Sequence, residues 1–138
     1  MTTGETREFI EALDQLQSAY ENYRQLQEQE HGHLSRRGSI AEWNIMIRQK
    51  LEAQQAARMI ERRMEPVKQR WQQMGQERRQ PGFAAVREKL GQLQGLLTRI
   101  LTCDRMNETL LYSGGYLQSV VAYRSSPPPI QPRINSGT

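Results

Sequence analysis

The feature that most constrains this chain is a repeat of apolar residues at alternating steps of three and four. One repeat runs from Phe9 to Tyr23 and another from Phe83 to Ile100. Residues spaced in this way share one side of an α-helix, and a sustained repeat is typical of helices that pack along their whole length. The members are Phe9, Leu13, Leu16, Tyr20 and Tyr23 in the first, and Phe83, Val86, Leu90, Leu93, Leu97 and Ile100 in the second.

The composition agrees with thin helices rather than with a thick globular core. Only 36% of the residues are hydrophobic, and the mean hydropathy is −0.81. A helix that buries one apolar stripe and leaves the rest of its surface polar needs no more than this. The sequence therefore predicts an all-α fold: an elongated, antiparallel three-helix bundle, or helical hairpin, with coiled-coil-like packing.

Turn and capping signals divide the chain into three helices. Gly38 suits the left-handed position that follows a helix, and Ser39 begins an S-x-x-E capping box that ends at Glu42. Pro81 and Gly82 mark the second boundary. We predict one domain over residues 1–124, with helices over about 6–36, 40–76 and 83–124.

Prolines modify this pattern in two places. Pro66 cannot donate a helical hydrogen bond, so we expect a kink or break in the second helix near it. Three consecutive prolines begin at Pro127, and we interpret residues 125–138 as a flexible tail.

The repeat of the third helix changes character after Ile100. Asp104 and Asn107 occupy the next seam positions, and glycines follow at 114 and 115. We interpret these polar residues and glycines as loosening the seam, so that the end of the helix is either a binding element or a wider buried face. A second apolar stripe lies beside the seam and consists of Leu96, Cys103, Leu110, Leu117, Val120 and Val121.

Charge is unevenly distributed along the chain. Residues 5–30 hold seven acids and two bases, whereas residues 36–79 hold eleven bases and five acids. This asymmetry favours pairing between the first two helices. The alternative is a basic helical protein that contacts nucleic-acid phosphates, although no recognition motif accompanies the basic residues. The candidates for such contacts are Arg62, Arg63, Lys68, Arg70, Arg78 and Arg79.

The sequence contains no pattern that indicates a catalytic or metal site. His31 and His33 are two residues apart and would point to different sides of a helix, so we expect solvated side chains and no metal or other cofactor. Cys103 is the only cysteine, and we expect it to pack as a small apolar residue in a protein of a reducing, cytoplasmic compartment. We predict that the protein is not an enzyme, has no secretory signal and does not span a membrane.

Two stretches of the chain carry a resemblance to a known family. The first, "LSRRGSIAEWNIMIRQKLEAQQ", joins a leucine- and tyrosine-rich helix to a second helix through a basic turn. The second, "ILTCDRMNETLL", carries an asparagine followed by two leucines. Both resemble the FlgN family of flagellar type III export chaperones. The resemblance implies a chaperone that binds the C-terminal helices of hook–filament junction proteins (flagellar hook-associated proteins) and delivers them to the export gate.

The resemblance also implies which residues act. The client-binding residues would be Asn107, Leu110, Leu111, Leu117, Val120 and Val121, and the gate-docking residues Tyr112, Tyr116 and Tyr123. Besides a basic nucleic-acid-binding protein, one alternative stays open: a structural coiled-coil adaptor or oligomerisation module. Self-association would bury the same apolar strip, because such strips are seldom left in water.

Overall fold

A computed structural model describes residues 3–73 and 82–113 of the chain, and all of its elements are α-helices. Helix α1 spans Thr3–Ser35, α2 spans Ile40–Gln73 and α3 spans Phe83–Ser113. Each is about 50 Å long at 1.5 Å per residue. The predicted all-α three-helix bundle is confirmed.

Pairs of side chains define the directions of the helices. Glu5 near the start of α1 pairs with Arg70 near the end of α2, so α2 runs antiparallel to α1. Asp14 and Lys89 pair between α1 and α3, and Thr6 lies beside Gly82, so α3 runs parallel to α1. The acidic first segment thus contacts bases of both other helices, as its charge favours.

Helix α1 is the centre of the bundle. It packs closely against both α2 and α3 along its length, whereas α2 and α3 approach each other closely at few backbone positions. Its buried residues follow the steps of three and four without interruption, because after Tyr23 the seam continues through Gln27 and Glu30 to Leu34.

The apolar residues form two separate clusters. The main core joins the first part of α1, the second part of α2 and the first part of α3. The end cluster joins the opposite ends of the same helices, with Leu110 and Leu51 partly buried against it. The buried members of the main core are Phe9, Leu13, Leu16, Tyr20, Tyr23, Ala53, Ala57, Met64, Val86, Leu93, Leu96, Leu97 and Ile100. Those of the end cluster are Leu34, Trp43, Ile47 and Leu111.

The turn between α1 and α2 is closed by backbone hydrogen bonds. The N–H of Gly38 bonds the carbonyl of His33 at 2.9 Å, and that of Arg37 bonds the carbonyl of Leu34 at 3.1 Å. This is the Schellman arrangement, whose left-handed residue here is Arg37, with φ 55. The prediction that Gly38 takes that conformation was wrong.

Gly38 is needed for a different reason. A Cβ built on it would lie 2.1 Å from the ring of His33, so no larger residue fits without moving the ring. The predicted cap at Ser39 is present, since its Oγ accepts a hydrogen bond from the N–H of Glu42 at 3.2 Å. The Glu42 carboxylate lies 3.4 Å from His33 Nδ1.

Two further expectations concern the helix around Pro66 and the predicted ends of the second and third helices. Helix α2 continues through Pro66 without a break. The predicted ends at 76 and 124, and the tail at 125–138, lie outside the described residues. Within residues 3–73 and 82–113, none of the helices is apolar enough over a sufficient length to cross a membrane.

Candidate functional site

A layer of polar side chains separates the main core from the end cluster. We call it the polar layer and define it by Gln27 and Glu30 of α1, Lys50 of α2, and Asp104 and Asn107 of α3. All five occupy seam positions, which hold buried apolar side chains elsewhere in these helices. Their polar groups therefore lie in the interior. Gln27, Glu30, Lys50 and Asn107 are buried, and Asp104 is partly buried.

Glu30 is the centre of the polar layer. Its Oε1 accepts hydrogen bonds from Lys50 Nζ at 2.8 Å and from Asn107 Nδ2 at 2.8 Å. Its Oε2 accepts one from Trp43 Nε1 at 3.0 Å. This carboxylate is 1% exposed and is bonded by three side chains, two from α2 and one from α3, as a buried charge requires.

Lys50 is shared between two carboxylates. Its Nζ lies 2.8 Å from Glu30 Oε1, 3.6 Å from Asp104 Oδ1 and 5.4 Å from the centre of the Tyr23 ring. Burial alone would lower the pKa of Lys50, but the Glu30 carboxylate, Tyr23 and Asp104 together raise it above its usual value. The ammonium therefore stays charged inside the bundle.

Asp104 completes the layer on the α3 side. Its Oδ1 accepts a hydrogen bond from Gln27 Nε2 at 2.7 Å, and the same Nε2 also bonds the carbonyl of Ile100 at 3.0 Å. Burial raises the pKa of the Asp104 carboxyl, opposed by the nearby Lys50 ammonium. Gln27 Oε1 is buried without a hydrogen-bond partner among the described residues.

Asn107 ties α3 to α1 at several points. Its Nδ2 donates to the Gln27 carbonyl at 3.2 Å as well as to Glu30, and its Oδ1 lies 3.0 Å from His31 Nδ1. Asp104 and Asn107 therefore continue the α3 seam, and the expectation that the helix turns its buried face away after Ile100 was wrong. They are seam residues whose partners lie on the other helices.

The predicted client-binding residues fall into two groups. Asn107 is 2% and Leu111 7% exposed, and Leu110 is partly buried, so the first two are not available as a surface in this conformation. They face α1 and α2 because the α3 seam continues past Ile100. The residues Leu117, Val120 and Val121 lie outside the described part of the chain.

The outer face of the second half of α3 is partly apolar. Leu101, Met106 and Tyr112 are 42%, 50% and 38% exposed. Met106 also lines a shallow groove of about 300 Å³ between α1 and α3, together with Thr102 and Cys103. Of the predicted gate-docking tyrosines only Tyr112 is described, and Tyr116 and Tyr123 lie outside the described residues.

The two histidines do not behave alike. His31 is half-buried against Asn107, and His33 is 3% exposed, with Nε2 2.7 Å from the Ser39 carbonyl. The expectation of solvated histidines was thus wrong for His33, which is part of the α1–α2 turn. No group of three metal-ligating side chains lies together in residues 3–73 and 82–113. Cys103 is buried, as predicted, and Trp43 is buried as well.

No sequence pattern was interpreted as placing Gln27, Glu30 or Lys50 in a site. The signal that would have found them is the repeat itself, because a step of four from Tyr23 reaches Gln27 and a further step of three reaches Glu30. Polar residues on corresponding seam positions of several helices indicate a buried network.

No known protein family, curated protein or solved structure matches this chain.

Proposed function

We propose that this protein is a cytoplasmic export chaperone of the FlgN type. In this role it binds the C-terminal helices of flagellar hook–filament junction proteins and delivers them to the type III export gate. The proposal begins from the resemblance of "ILTCDRMNETLL" and the α1–α2 junction to that family. The observation that supports it is the apolar outer face of the second half of α3, where we place client binding.

That outer face has the chemistry of a helix-binding surface. Met106 is 50% exposed and lines the groove between α1 and α3 with Thr102 and Cys103, which precede it by four and three residues on the same side of the helix. An amphipathic client helix would bury its own apolar stripe against them, which is helix-to-helix recognition. Buried Asn107 and Leu111 then hold α3 in place and need not touch the client.

Client affinity tests the proposal. The probe is the C-terminal helical segment of the junction protein from the same organism, titrated calorimetrically into the full chain. Replacing Met106→Arg should weaken binding at least roughly tenfold, because a charge would be desolvated in an apolar interface. The position is exposed, so helicity should be unchanged.

The chain offers a matched control. Met59 of α2 is 63% exposed and has the same side chain as Met106. The Met59→Arg chain should bind the client like the unmodified chain. Equal loss in both variants, or none in the α3 variant, would argue against this surface.

The alternatives give different results in the same preparation. An oligomerisation module would show a mass that rises with concentration in light scattering and no binding of the client helix. A nucleic-acid-binding protein would bind a duplex with an affinity that falls steeply with salt.

A further inference from the structure

We infer that the polar layer divides the bundle into two units, and that the second half of α3, residues 101–113, detaches from the α1–α2 hairpin while the main core stays folded. This inference does not depend on the proposed function. It follows from which side chains each helix contributes to the layer and from where the apolar anchors lie.

The buried carboxylate of the layer keeps partners without α3. Glu30 keeps its hydrogen bonds from Lys50 and Trp43 when α3 leaves, and all three residues belong to α1 and α2. The charged pair therefore stays paired and is hydrated on one side. What α3 contributes is Asp104 and Asn107, polar groups that exchange their partners for water on leaving.

Apolar anchoring of α3 is concentrated before the layer. Val86, Leu93 and Ile100 are fully buried in the main core. After Ile100 the buried apolar side chains of the described part of α3 are Cys103 and Leu111, at 8% and 7% exposure. Because free energies of local opening follow buried apolar contact, the second half of α3 is held less firmly than the first.

The turn of the hairpin is braced independently of α3. The Schellman hydrogen bonds close the end of α1, and the Ser39 cap begins α2. The buried His33 ring joins the two by its contact with the Ser39 carbonyl. Release of α3 therefore leaves a preformed groove. Its floor is Leu34, Trp43 and Ile47, with the Glu30 carboxylate at one end.

The groove defines the helix that fits it. In the closed bundle it holds Asn107, which bonds Glu30, and Leu111 four residues later, which packs in the end cluster. A helix with an amide side chain four residues before a leucine has the same chemistry. The second half of α3 acts as the built-in occupant of this groove.

Native-state hydrogen exchange of the full chain tests the inference. Amides of residues 104–111 should be protected at least roughly tenfold less than those of residues 93–100, with a step at the layer rather than a gradual decline. Replacing Asp104→Leu and Asn107→Leu makes the seam apolar throughout and should erase the step. If this variant is not helical by circular dichroism, Asn107→Leu alone is used, and it should reduce the step.

A control on the same part of α3 distinguishes a step in protection caused by the polar layer from one caused by fraying of the helix end. Arg105→Leu and Glu108→Leu change exposed neighbours of the two layer residues. This variant should keep the step. Uniform protection over residues 93–111 in the unmodified chain, a step that persists in the layer variant, or a step that the control also erases would overturn the inference.

Tryptophan emission gives a second readout. Trp43 belongs to the end cluster, whereas Trp71 packs on Phe9 and Phe83 in the main core. In a Trp71→Phe chain, the emission of Trp43 should change at a lower urea concentration than the helical signal. If the Trp43 emission and the helical signal change at the same urea concentration, the bundle unfolds as one unit, which would also contradict the inference.

Discussion

Removal of the shared cation tests the energetics of the polar layer most directly. Lys50 is 7% exposed and lies within 4 Å of both Glu30 and Asp104. In a Lys50→Met chain the methylenes are retained, but the Glu30 carboxylate remains in the interior without a cation. We expect the chain to be less stable for this reason.

The expected loss follows from the contacts that remain. Breaking a buried ion pair by removing one partner costs about 3–5 kcal/mol. Glu30 keeps hydrogen bonds from Trp43 and Asn107, at 3.0 and 2.8 Å, so its charge stays partly compensated. We therefore expect a loss of about 3 kcal/mol, the lower end of that range.

The assay is urea unfolding at neutral pH, followed by circular dichroism. The matched control is Lys89→Met, which removes the partner of Asp14 at the surface, where the Asp14 side chain is 55% exposed. An exposed pair contributes about 0–1 kcal/mol, so this control should scarcely change the midpoint. If Lys50→Met costs no more than Lys89→Met, the reasoning about the layer is wrong.

A second substitution separates the pair from the packing. Combining Lys50→Met with Glu30→Gln removes the uncompensated charge, so the double variant should be more stable than the sum of the single losses predicts. A coupling of about 1–3 kcal/mol is expected for groups in direct contact. Additive losses would show that Lys50 acts through its methylenes alone.

Two further predictions concern Asp104 and the glycines. Burial raises the pKa of Asp104 above its usual 3.8, so ionised Asp104 disfavours folding at neutral pH, and this penalty disappears as the pH falls through the raised value towards 3.8. The stability of Asp104→Asn relative to the unmodified chain should therefore be highest at neutral pH and decline over that window in urea titrations; an unchanging difference would contradict it. Gly38→Ala should cost about 1–3 kcal/mol because the new Cβ meets His33, whereas Gly95→Ala, with nothing within 4 Å, should stabilise by about 0.5–1 kcal/mol in thermal unfolding.

The helices were predictable because their signals are local. The repeat of three and four located the main core, and the capping signal at Ser39 and the break at Pro81-Gly82 located the starts of α2 and α3. Each signal acts within a few residues, so it can be read without knowledge of the other helices.

The polar layer was not predicted because its partners are distant in sequence. Glu30 bonds Lys50 and Asn107, which are 20 and 77 residues away along the chain. Considered alone, each is a polar residue that weakens an apolar stripe. Together they satisfy one another, and whether they meet depends on the register of three helices, which no local pattern specifies.

A partner could bind the outer face of α3 or take the place of α3 in the groove. These two modes of binding have opposite effects on hydrogen exchange in α3, so exchange distinguishes them. A helix that docks in the groove at Met106 binds the closed bundle, so by mass action it should raise the protection of residues 104–111 against exchange. A helix that replaces α3 in the groove of Leu34, Trp43 and Ile47 binds the open form and should lower that protection. The sign of the change at Asn107 therefore identifies the occupied surface. It does so even where calorimetry reports the same affinity, because the two modes stabilise different states of one helix.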